Sequence, residues 1–123
     1  MKRYFLTAIA ALLVAPPLLA AEYTRDQWRA LFVQNYPAFA CDKNYYFRQC
    51  LQLEADQCES AATSAARTCL GDLVMQIPEV VQNSEQSAKA GTLIAQCAGV
   101  RIETRFSSRR LLSAECQDIS RWR

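Results

Sequence analysis

Histidine is absent from the 123 residues, and only three are glycine. The first absence removes the Ser-His-Asp triad, the Cys-His pair and every histidine ligand for zinc. The second leaves no glycine-rich loop to cradle a phosphate. No C-x-x-C redox motif occurs, and no G-x-S-x-G, Walker or G-x-G-x-x-G sequence is present. The chain also lacks convincing strand alternation, internal repeats and low-complexity segments. With these gaps the sequence predicts no cofactor, no metal and no catalytic residue.

The N-terminus reads as a targeting segment. Lys2 and Arg3 precede an apolar run from Tyr4 to Val14, Pro16 and Pro17 stop a helix, and Leu19-Ala20-Ala21 offers small residues for cleavage. The run is shorter than the roughly 20 apolar residues needed to span a bilayer, which favours a cleaved leader over a retained anchor. The first cysteine is Cys41, too far along for lipid attachment at the leader. The expected organisation is a signal peptide over 1–21 and one domain over 22–123, periplasmic or secreted. The chain's +2 formal charge disappears with the leader, since the remainder holds twelve basic and twelve acidic residues. That balance gives no case for nucleic acid.

Six cysteines remain, Cys41, Cys50, Cys58, Cys69, Cys97 and Cys116, and the closest two are seven residues apart in between. An even number in a short exported chain implies three disulfides. Their spacing matches neither the twin C-x9-C pattern of CHCH hairpins nor the C-x-x-C opening of saposin-like domains. Fifteen pairings are possible. Centring the pairs on presumed turns points to Cys41–Cys69, Cys50–Cys58 and Cys97–Cys116.

Helical periodicity runs through the rest, and the predicted class is all-α with about four helices. Thr24 and Gln27 form a capping box, Tyr23 and Trp28 a hydrophobic staple, and Trp28, Leu31, Phe32 and Tyr36 share a face. Pro37 should end this helix near Asn35. Tyr46, Cys50 and Leu53 fit a short second helix capped by Asp42 or Asn44. Cys58, Ala62, Ala65, Cys69 and Leu73 form a narrow apolar stripe, with Ala61 and Ala66 beside it, that lets another helix approach closely. A last helix should start at Asn83 or Ser84 and run to about Phe106, before a turn at Ser107-Ser108.

Charge is uneven. Residues 101–123 hold six arginines against Glu103, Glu115 and Asp118. On a helical wheel centred at Ile94, Arg101 and Arg105 fall within about 20° of the middle of the apolar stripe. Such local inconsistencies tend to sit at functional or strained places. Either the helix changes course at Gly99, or the arginines pair internally, or the stripe there faces a partner. Arg109 and Arg110 extend the charge, and Trp122 lies near the end; arginine and tryptophan are favoured interface anchors. The predicted partner-binding set is therefore Arg101, Arg105, Arg109, Arg110 and Trp122.

The function expected from these residues is a non-catalytic, exported protein-binding domain, of inhibitor or immunity type or an accessory of the envelope or of secretion. The partner would be another exported or envelope protein. A membrane-surface or lipid binder, using the basic end and the aromatics between Tyr36 and Phe47, is the first alternative. A small hydrolase working through Glu54, Asp56 and Glu59 is the second, although acids at a helix start also offset the helix dipole.

Overall fold

The computed structural model describes residues 22–122, which form an all-α domain tied by three disulfides. The proposed leader and Arg123 lie outside the described residues. Three helices carry the fold: α1 (Arg25–Ala40), α3 (Ala55–Asp72) and α4 (Ser84–Phe106). Two helices of four residues each, α2 (Tyr46–Gln49) and α5 (Ala114–Gln117), sit in the connections. One minimal antiparallel ladder joins β1 (Tyr23–Thr24) to β2 (Val80–Val81).

The start of α1 follows its local sequence. The Thr24 hydroxyl accepts from the Gln27 amide at 3.2 Å, and the Gln27 side chain accepts from the Thr24 amide at 3.0 Å, so both free donors are satisfied. Tyr23 packs against the core cluster that contains Trp28. The end of α1 does not follow the proline rule. The helix continues through Pro37 to Ala40. Pro37 costs one internal hydrogen bond, but Pro37 and Ala40 are buried, the Pro37 carbonyl still accepts from Cys41 at 2.9 Å, and Cys41 is bonded to Cys58. Burial and the crosslink outweigh the lost bond.

Helix α3 is the central element. Cys58, Ala61, Ala62, Ala65, Ala66, Cys69 and Leu70 are buried along it. Four alanines in that stripe remove side-chain bulk, which lets α1 and α4 lie close on its two sides. Asn83 caps α4, its side-chain oxygen accepting from the Gln86 amide at 2.9 Å. The Trp28 indole N–H donates to the Ser87 hydroxyl at 3.0 Å, which fixes α1 against the first turn of α4.

The disulfides are Cys41–Cys58, Cys50–Cys116 and Cys69–Cys97. None of the three pairs expected from turn symmetry, Cys41–Cys69, Cys50–Cys58 and Cys97–Cys116, is formed. That reading required the chain to fold back between Cys50 and Cys58. Instead Gln52 adopts φ 54° and directs the chain straight into α3. Cys58 and Cys69 then lie three turns apart on one face of α3, where the first meets the end of α1 and the second meets α4. Cys50 is left for the C-terminal tail. The expected cap of α2 is also absent: the Asp42 side chain accepts from the Asn44 amide at 2.8 Å as a turn, and Tyr45 precedes α2 without a side-chain cap.

Candidate functional site

Helix α4 does not change course at Gly99. It runs unbroken to Phe106, and Gly99 faces the Phe47 ring. Its buried residues are Ala90, Ile94, Ala98, Ile102 and Phe106, each four after the last. At about 100° per residue, every such step moves the buried line by about 40° around the helix. By Ile102 the core lies about 80° away from the direction that Ile94 sets. Arg101 and Arg105 stay near that original direction, so the C-terminal half of α4 turns them out of the core toward the outer edge of α3.

There they line an open groove of about 400 Å³ along the seam of α3 and α4. Ala61, Ser64, Ala65 and Thr68 form the α3 wall, and Val100, Arg101, Thr104 and Arg105 stand on α4. The alanines end at Cβ and leave the space open. The Thr68 hydroxyl donates to the Ser64 carbonyl at 3.1 Å, while the Ser64 hydroxyl is exposed. Val100 is 67% exposed, an aliphatic side chain left in water at the rim. The Arg101 guanidinium donates to an Asp72 carboxylate oxygen at 3.1 Å, and both side chains are about half exposed. Arg105 lies one turn further on, with its guanidinium carbon 5.0 Å from the centre of the Phe106 ring. Among the described residues it has no ion-pair or hydrogen-bond partner. The two arginines stand one turn apart on one helix face, with Cβ atoms about 6 Å apart. Each offers a planar fork of donors that matches a carboxylate.

The other three predicted residues are placed elsewhere and engaged within the fold. Arg109 donates to the Gln52 carbonyl at 2.8 Å and to the Gln57 side chain at 3.0 Å, which clamps the left-handed turn before α3. Arg110 pairs with Glu103, and the Tyr46 hydroxyl donates to the same Glu103 oxygen at 2.9 Å. The Trp122 indole donates to the Glu115 carbonyl at 3.0 Å, and its ring packs edge-on to Tyr46. These contacts dock the tail beside Cys50–Cys116. Burial, together with the Glu103 carboxylate that accepts its proton, raises the Tyr46 hydroxyl to about 12.

The acids that could serve a hydrolase are spread on the surface. Asp56 and Glu59 border a second, open depression with Ser60, Thr63 and Arg67, and Glu54 precedes the first turn of α3. Of the aromatics between Tyr36 and Phe47, Tyr36 is buried and Tyr46 and Phe47 pack on the core. Phe39 and Tyr45 remain exposed, with ring centres 5.2 Å apart. Among the described residues no group of His, Cys, Asp or Glu is arranged to hold a metal ion, and no helix is long and apolar enough to cross a membrane. Periodicity missed Asp72, Ser64, Thr68 and Val100 as neighbours of the arginines, because their proximity depends on the register of α3 against α4, which Cys69–Cys97 fixes.

The fold and groove define a disulfide-stapled helical domain with an open, arginine-lined seam. Residues 22–117 match the family described as T2SS substrate NttA, and the chain belongs to that family. It is thus an exported protein of the type II secretion context. No curated protein and no solved structure matches the chain.

Proposed function

We propose that the protein is a secreted, non-catalytic binding domain that docks an acidic surface of another protein into the α3/α4 groove. The observation that carries this reading is the pair Arg101 and Arg105, exposed on one wall beside Val100, with Arg105 free of ion pairs and hydrogen bonds among the described residues. Arginine is among the residues favoured as interface anchors, and these two are exposed and reachable in the free protein. The groove lining offers hydroxyls and guanidiniums, and the neighbouring Asp72 carboxylate is engaged by Arg101, an arrangement that supports binding of carboxylates. The family description favours a protein that works outside the cell over an accessory retained in the envelope, and the family match opening at Glu22 supports removal of residues 1–21 as a leader.

The test replaces both arginines. R101A/R105A should keep the wild-type melting temperature to within the change expected for about 1 kcal/mol, because only one exposed ion pair is lost. Its affinity for a partner recovered by cross-linking to the wild-type protein should fall by about thirtyfold or more, the loss of about 2 kcal/mol typical of an anchor. Unchanged affinity in a folded double variant would remove the groove as the binding site.

A further inference from the structure

We propose that Asp72 is a built-in stand-in for the partner's carboxylate, and that binding exchanges it for an acidic side chain of the partner. The inference rests on the groove being the docking site. Arg101 and Arg105 line the same groove on the same helix face, yet their surroundings differ. Arg101 is held 3.1 Å from Asp72, the last residue of α3, whereas Arg105 has no carboxylate among the described residues. The Arg101–Asp72 pair is exposed on both sides, so water competes for it and its net stabilisation is small. It therefore contributes little to the fold. What it does fix is the direction of a long side chain, which Asp72 draws toward the C-terminal end of α3.

The occupant follows from charge complementarity. Two guanidiniums on successive turns of one helix face, with Val100 exposed beside them, select a protein segment carrying two carboxylates and a small aliphatic side chain near them. One carboxylate meets Arg105, which has no carboxylate to give up among the described residues. The other meets Arg101 and must displace Asp72, whose own charge also repels it. Asp72 thus lowers the affinity of the site for doubly charged segments: one carboxylate takes Arg105 without disturbing Arg101, whereas the second must first displace Asp72.

The probe is a capped, alanine- and glutamine-rich helical peptide of about 16 residues carrying one Glu-Ala-Ala-Ala-Glu segment, whose carboxylates lie one helical turn apart, with its Gln-Ala-Ala-Ala-Gln analogue as control. Each is titrated into the uniformly 15N-labelled mature protein and followed by amide shifts. The acidic peptide should move the amides of Ser64, Thr68 and Val100 to Arg105, and the control should not. Asp72→Asn should tighten the acidic peptide by about three- to fivefold, as expected for removal of one surface ion pair. Glu79→Gln, which removes one exposed charge away from the groove, should tighten it far less. Equal responses of the two variants overturn the exchange, and they leave the docking reading standing if R101A/R105A still loses its partner. Silence of the groove amides to the peptide in both wild type and Asp72→Asn overturns it as well. Arginine-dependent flotation with phosphatidylserine vesicles, in the absence of any peptide response, overturns both this inference and the reading beneath it.

Discussion

Reduction of the three disulfides, with the thiols then alkylated, is expected to abolish the cooperative melt of the domain at ambient temperature. Cys41–Cys58, Cys69–Cys97 and Cys50–Cys116 close loops with sequence separations of 17, 28 and 66. In the chain-entropy account each such loop contributes about 3–4 kcal/mol by restricting the unfolded chain. A domain of this size is stable by about 5–15 kcal/mol in all. Its core is also thin in bulk, since α3 buries four alanines where a larger core would place leucines. Little remains once the crosslinks are gone. Circular dichroism before and after reduction, with thiol counting in denaturant, checks this. All six cysteines should be unreactive until a reductant is added. A reduced protein that still melts within a few degrees of the oxidised one would show that packing alone holds the helices.

A second large effect is expected at high pH. Tyr36 is buried on α1, its ring stacked on Phe32, and burial raises its hydroxyl to about 12. In the unfolded chain the group ionises near 10. Below pH 10 the hydroxyl is protonated in both states and the stability is flat. Between 10 and 12 the unfolded state loses the proton first, so the unfolded state is favoured and stability falls as pH rises. The shift of about two units corresponds to a loss of about 2–3 kcal/mol from this one group. Denaturation midpoints at pH 9 and near pH 12, for wild type and Tyr36→Phe, separate it from other alkaline effects. The phenylalanine variant should decline less steeply by that amount. Parallel declines would contradict the assignment.

Local devices were legible in the chain. The Thr24–Gln27 box and the Asn83 start depend on groups three residues apart, and both are formed. The alanine and cysteine stripe of α3 reads directly as its buried face. Features that depend on how helices meet were not legible. Pro37 looks like a stop until the burial of Pro37 and Ala40 and the Cys41 crosslink are known. The cysteine pairing is hidden for the same reason: a left-handed Gln52 decides where the chain goes after Cys50, and nothing in a glutamine announces it. The arginines stood out because they break a stripe measured from Ile94. Their true position follows from a buried line that drifts around α4 in steps of four, while Arg109, Arg110 and Trp122 are engaged by the turn and tail they sit in. Asp72 carried no signal, since a single acid at a helix end has no pattern until its neighbour across the seam is seen.

The most direct measurement of the central claim is amide-shift mapping of the 15N-labelled mature protein on addition of the partner recovered by cross-linking. The groove account predicts perturbation of Ala61 to Thr68 on α3 and Val100 to Arg105 on α4, with the exposed pair Phe39 and Tyr45 undisturbed. Perturbation centred on Phe39 and Tyr45, with Arg101 and Arg105 unmoved, would contradict it.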